Sequence, residues 1–221
     1  MDWQALTLSL QLAALTLVLL LPLGLWLGRK LAYAQFTGKA AVQALVVLPL
    51  VLPPTVLGYY LLVALGAASP LGQVLSAWWG APLVFHFSGL VLASLVFNLP
   101  FMVQPIERAF EAVGRDLREA AAVSGLSAWQ SFWRVELPLA WPGVLSAMVL
   151  TFVHTLGEFG VVLMMGGNIP GQTRTIAIAI YDSVQSFDLA AAHRMALLLL
   201  VLSLAGVAAS FFASTRLARK P

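Results

Sequence analysis

The chain has 221 residues, of which 61% are hydrophobic and 10% charged, with a mean hydropathy of +0.92. A water-soluble domain needs a polar outer layer, and this composition cannot supply one, so a soluble enzyme or binding module is excluded and lipid is the expected solvent. The net charge of +3 sits mostly beside apolar segments, so it reads as a membrane-orientation signal and not as a nucleic-acid surface; the absence of Cys removes disulfides and thiolate metal sites.

A helix needs about 20 mostly apolar residues to cross the hydrocarbon core. Five stretches meet this, predicting an all-α, single-domain membrane protein with spans near 5–28, 40–65, 82–106, 139–165 and 195–212. The first is too long for a signal-peptide core and lacks a small-residue cleavage site, so it is expected to be retained. It carries Gly24 and Gly28, a small-xxx-small pair that favours close helix contact. The second is interrupted by Pro53 and Pro54, which free backbone carbonyls at membrane depth, and Thr55 follows them. Trp78 and Trp79 fall in the next loop and suit an interfacial belt. The third span holds His86 and Asn98, expected to make helix contacts. The fourth holds Thr151, His154, Thr155 and Glu158, with each i, i+4 pair on one face. A sixth, short or re-entrant helix fits between Thr173 and Leu189, although Asp182 and Asp188 oppose its full burial.

Orientation follows from Lys and Arg. With five spans, Arg29, Lys30, Lys39, Arg108, Arg115, Arg118, Arg134, Arg216, Arg219 and Lys220 share one side, leaving Arg174 and Arg194 on the other. The positive-inside rule then predicts an outside N-terminus and a cytoplasmic C-terminus.

The polar segment 107–138 between the third and fourth spans reads as two short capped helices. Gly114 ends the preceding helix. Asp116 with Glu119, and Ser127 with Gln130, have capping-box spacing. Gly125 follows the short face of Leu117, Ala120 and Ala121 and suits a left-handed C′ position. Trp129, Phe132 and Trp133 line one side of the second helix, and Pro138 is expected to stop it. On physics alone two readings stand: a rigid knob for a partner's groove, or an amphipathic hairpin lying on the lipid surface.

The pattern Glu119-Ala120-Ala121, three residues, Gly125, nine residues, then Val135-Glu136-Leu137-Pro138 resembles the EAA loop of the permease subunits of binding-protein-dependent ABC importers. Val135 occupies the aliphatic slot where Ile is usual. The resemblance implies that Glu119, Ala120, Ala121, Gly125, Val135, Leu137 and Pro138 form coupling helices that dock on an ATPase subunit. The stretches Val51–Tyr60, Asn98–Pro100, Gly157–Gly160 and Gly167–Thr173 are similar to those of molybdate permeases, over roughly residues 10 to 215. Tungstate and sulfate permeases share parts of these patterns, though sulfate-type subunits are usually longer. The resemblance implies an alternating-access importer in the cytoplasmic (inner) membrane of a bacterium or archaeon. Its expected partners are a second copy of this chain, an ABC ATPase dimer that carries the ATP and Mg, a periplasmic or lipoprotein substrate-binding protein, and membrane lipid. No cofactor is expected in this chain, which has no G-x-x-x-x-G-K-[ST] phosphate loop of its own.

Candidate pathway residues are Pro53, Pro54, Thr55, Thr151, His154, Thr155 and Glu158. Hydroxyls can pass an oxyanion without holding it; alternatively, each bonds its own helix carbonyl four residues back. Glu158 and His154 cannot complete a zinc site, which needs a third ligand, and a carboxylate would repel an anion. Glu158 is therefore expected to hydrogen-bond His154 or nearby helix ends, or to belong to a gate. Two rivals are weighed: an intramembrane enzyme built on His154 and Glu158, for which no further catalytic groups are found, and an ATP-independent channel, which has no use for the capped cytoplasmic knob.

Overall fold

The computed structural model describes residues 1–218, and the side chains of residues 1–212. Among these residues it is entirely helical. Four helices are long and apolar enough to span a membrane: α1 Trp3–Tyr33, α5 Phe87–Glu111, α7 Ala128–Leu156 and α10, whose apolar stretch is Leu189–Phe212 within Leu189–Ala218. A fifth passage is the bent pair α2 Lys39–Val51 and α3 Pro54–Leu65. Short helices α4 Pro70–Trp79, α6 Arg115–Val123, α8 Gly160–Gly166 and α9 Ile176–Gln185 fill the connections.

Two of the expected spans are not single helices. Prolines 53 and 54 lack the N–H groups that would continue the second one, and a residue before proline is pushed to extended geometry. Leu52 and Pro53 both have ψ near the extended value, 140° and 134°. The chain turns by 109° there, and the Pro53 carbonyl restarts α3 by accepting from Val56 and Leu57 N–H. The stretch 139–165 likewise breaks: α7 ends at Leu156, residues 157–159 are non-helical, and α8 begins at Gly160. The segment between Thr173 and Leu189 does hold a helix, α9, capped by the Thr175 hydroxyl. At 10 residues it is too short to cross.

Pro138 does not stop a helix either. Residues Phe132–Glu136 form a π turn, with Leu137 N–H donating to the Phe132 carbonyl five residues back. The extra residue in that turn absorbs the hydrogen bond proline cannot donate, and Ala128–Leu156 runs on as one rod. The second short helix expected in the loop is the first turn of this rod.

The central element is α5, which packs against α1, α2, α7 and α8, while α10 leans on α7 and α9. At Gly28 an added Cβ would come within 2.7 Å of Ile106, and at Gly24 it would collide with Met102. The small pair thus lets α1 and α5 touch along their lower halves. Residues Leu20, Met102, Ile106, Phe110, Ala140 and Val144 close one core there; Leu57, Leu90, Val161 and Met165 anchor the other.

Ion pairs sort the helix ends into two sides. Arg29, near the end of α1, makes a bidentate bridge to Glu136 at the start of α7, at 2.6 and 3.0 Å, and Gln43 of α2 donates to Glu107 of α5 at 2.6 Å. On the opposite side Arg174 meets Asp182 at 2.7 Å and Asp2 at 3.8 Å. Segments 29–43 and 107–136 therefore share one face of the bundle, here the lower side. The N-terminus and residues 168–182 share the upper side.

Candidate functional site

Two groups of residues stand out, one outside the bundle and one within it. The outer one is α6 with its flanking turns, on the lower side. Gly125 has φ +79° and sits at C′. Leu126 N–H donates to Ala121 O and Gly125 N–H to Ala122 O, the two bonds of a Schellman motif. The turn leads directly into the Ser127–Gln130 capping box, in which both reciprocal bonds are present. The expected capping box of Asp116 and Glu119 is absent. Gly114 is the N-cap without a side-chain bond, Asp116 lies in the first turn, and Glu119 bonds Arg115 at 2.5 Å. The helix starts two residues earlier than expected, so Asp116 is already helical and cannot take the extended N-cap geometry.

The two faces of α6 differ. Ala121 is buried and Arg118 half-buried against the bundle. Outward, Leu117, Ala120 and Val123 recur every three residues, with Val123 90% exposed. This leaves an exposed apolar stripe on a short helix outside the bundle. Trp129 and Trp133, in the first turns of α7, are exposed as well. Of the other loop residues, Leu137 is buried, Val135 half-buried and Pro138 exposed.

The inner group surrounds a cleft of about 470 Å³ where α3, α5, α7 and α8 converge. Pro54, Thr55, His154, Glu158 and Phe159 line it. Gly160 brings the two helix breaks together: a Cβ there would lie 3.1 Å from Pro54 and 3.3 Å from Thr55. Behind the cleft is a buried polar network. Ser94 donates to Glu158 Oε2 at 2.5 Å. Asn98 donates through Nδ2 to Ser94 O at 2.8 Å and to Glu158 Oε1. Since Asn98 Nδ2 faces two acceptors, its Oδ1 is the atom 2.9 Å from His154 Nδ1, and Nδ1 must carry the proton. The imidazole is further clamped by Phe101, stacked at 4.0 Å.

The sequence-derived candidates thus separate. Pro54, Thr55, His154 and Glu158 line the cleft, with Pro53 exposed beside them. Thr155 is buried and donates to its own helix carbonyl, Thr151 O, at 2.8 Å. Thr151 is fully buried and its hydroxyl makes no hydrogen bond. These two lie in helix packing. His86 and Asn98 were expected to make helix contacts, and Asn98 does so as the hub of the network. Ser94, its neighbour at i−4, was not foreseen; one serine in an apolar run gives no sign of a partner 64 residues on.

An all-helical bundle with broken spans around a polar-backed cleft, and a capped helix held outside it, is the architecture of a multi-pass membrane subunit. The chain belongs to the family described as binding-protein-dependent transport system inner membrane component, which matches residues 20–220. It is 49% identical over 195 residues, 88% of this chain and 86% of the relative, to the molybdenum transport system permease protein ModB of Azotobacter vinelandii. The ModB of Escherichia coli K12 is 41% identical over 84% of this chain and 81% of its own length. The sulfate transport system permease protein CysW of Synechococcus elongatus is more distant, at 31% over 86% and 68%. The fold is shared with a bacterial ABC transporter that imports the acidic polysaccharide alginate, at a TM-score of 0.78 and 20% identity, covering 96% of this chain and 78% of that one.

Proposed function

We propose that this chain is the membrane subunit of an ATP-driven molybdate importer. The observation that carries the reading is α6: a Schellman-turned helix with an outward apolar stripe, in a chain of a binding-protein-dependent transport family. Leu117, Ala120 and Val123 enter a groove on an ATPase subunit, and Glu119, on the same exposed side, meets a basic residue there. ATP and Mg are held by that partner. Two copies of this chain enclose the pathway, because a single bundle leaves only the open cleft beside α3. The lower side faces the cytoplasm, where the Lys and Arg residues gather, and the upper side receives the oxyanion from a binding protein.

Within the pathway, Thr55 offers a hydroxyl without charge, and no Lys or Arg lines the cleft. A fixed cation would hold a divalent anion and slow its release. Glu158, whose carboxyl group is held from behind the cleft by Ser94 and Asn98, positions His154 and α8 and does not itself receive the anion. Molybdate is favoured over sulfate by the higher identity to the molybdenum permeases. The test is uptake of labelled molybdate by vesicles that hold this chain with its ATPase and binding protein. Molybdate should be taken up only with ATP, and a tenfold excess of sulfate should not compete. ATP-dependent sulfate uptake that molybdate fails to inhibit would reassign the substrate, and uptake without ATP would overturn the class.

A further inference from the structure

Between α6 and the bundle lies a stack of cations and rings that the docking stripe does not explain. The Arg118 guanidinium of α6 lies 3.7 Å from the centre of the Tyr33 ring, at the end of α1. Arg29, one turn earlier on α1, lies over the same ring at 5.7 Å and over Phe132 of the π turn at 5.5 Å. Tyr33 also meets Phe110, at the end of α5, edge-on at 6.0 Å, and Phe110 meets Phe132 at 6.2 Å. Arg29 is neutralised by Glu136, but no carboxylate pairs with Arg118 among the described residues. The Arg118 Nε and the Tyr33 hydroxyl are both buried without a hydrogen bond. A guanidinium turned from solvent onto an aromatic face, with no anion to draw it there, is held by the ring itself. A flat cation suits this better than an ammonium.

The placement matters because α6 has little else to grip. Its outward face is given to the stripe, and inward it offers only Ala121 and Arg118. The α1 end it reaches is in turn locked to α5 through Gly28 and to α7 through Glu136. We propose that Arg118 and Tyr33 form a clasp that couples movement of α6 to α1 and, through it, to the spanning helices. This role rests on the reading of α6 as the ATPase-docking element. Arg118 and Tyr33 are positioning residues; neither touches ATP or substrate.

The clasp needs the ring and the cation, not the phenol oxygen. Tyr33→Phe should therefore match the parent. Tyr33→Leu and Arg118→Gln should lower molybdate moved per ATP hydrolysed by roughly two- to thirty-fold, with Arg118→Lys between them, while the complex still assembles and hydrolyses ATP. A purely structural role would instead lower assembly and hydrolysis together. A second measurement is independent of substrate. The chain has no native Cys, so spin labels at Ser124→Cys, at the end of α6, and Lys30→Cys, exposed in the last turn of α1, report the α6–α1 distance in the complex. A single narrow distance is expected in the parent and in Tyr33→Phe, and a broadened one in Tyr33→Leu and Arg118→Gln. Absence of molybdate uptake in the parent would overturn the proposed substrate and leave the distance test standing. Narrow distances and parent-like transport per ATP in all variants would overturn the clasp.

Discussion

Asn98 is the residue on which the inner network turns. It offers two donors and one acceptor to Ser94, Glu158 and His154, so no apolar residue can replace it without stranding a buried carboxylate oxygen and releasing the imidazole. Interhelical hydrogen bonds at membrane depth contribute roughly 0.6–2 kcal/mol each, and a buried polar atom left without a partner costs about 1–3 kcal/mol. Ser94→Ala, which removes one donor, should cost about 1 kcal/mol, read as a modest fall in melting temperature in detergent. Asn98→Leu should cost clearly more and also free the His154 ring, so uptake should fall in the folded fraction. Equal melting temperatures for the two variants would show that Asn98 is not the hub. The sequence pointed to the fourth-span half of this network, because His154 and Glu158 are polar residues four apart in an apolar stretch, although Glu158 lies past the end of α7 and is linked to His154 through Asn98. Of the other half, Asn98 was expected to make helix contacts without its partners being legible, and Ser94 stayed hidden, since it is small and neutral and its partner comes from tertiary packing.

At the scale of the elements, α6 is defined by how it ends and not by how it begins. Gly125 at φ +79° has nothing within 4 Å of an added Cβ, so a substitution there meets a backbone penalty alone. A left-handed L-residue costs roughly 1–2 kcal/mol, most for a β-branched one and least for Asn. Gly125→Asn should therefore transport nearly as the parent does, and Gly125→Val should insert normally yet lose coupling between ATP hydrolysis and uptake. Parent-like coupling in Gly125→Val would remove the Schellman turn from the mechanism. Glu119 invites a contrasting test. It caps nothing in the structure, and its bond to Arg115 is exposed to solvent, so helix α6 should survive both Glu119→Gln and Glu119→Leu. If its charge meets the ATPase, both variants should lose the partner equally in a pull-down; full retention by Gln alone would point to a polar contact without charge.

The same elements mark where local signals succeed. Ser127, Gln130 and Gly125 act through neighbours within a few residues, and their spacing was enough. Pro138 misled because a π turn one step upstream relieves it, and no residue type announces that turn. The break at residues 157–159 was equally silent: Gly157 and Glu158 fit a continuing apolar stretch, and the close approach of Gly160 to Pro54 that accompanies the interruption is a tertiary contact.

For the whole molecule, two sides follow from pairs distant in sequence: Arg29 with Glu136, Gln43 with Glu107, and Asp2 with Arg174. This alternation is the one expected from five apolar stretches, and its direction in the membrane rests on where the cations lie. Arg29, Lys30, Lys39, Arg108, Arg115, Arg118 and Arg134 are all on the lower side. Arg219 and Lys220 lie outside the described residues, and so does the side chain of Arg216. Short loops rich in Lys and Arg resist translocation, so that side should be cytoplasmic. The upper side instead shows Trp78 and Phe187, 81% and 88% exposed, of which Trp suits the headgroup region. Ser124 lies beside Gly125 in the docking turn, and Phe187 lies between α9 and α10, so single cysteines at these positions sample opposite sides. In sealed cells a membrane-impermeant thiol reagent should modify Phe187→Cys and leave Ser124→Cys untouched until the membrane is opened. The reversed pattern would invert the orientation and place α6 where no ATPase could reach it. Modification of both from outside would mean that the passage between them, α7 with α8, does not cross the membrane, whereas loss of the bent pair α2–α3, which turns by 109°, would keep them on opposite sides with the pattern reversed.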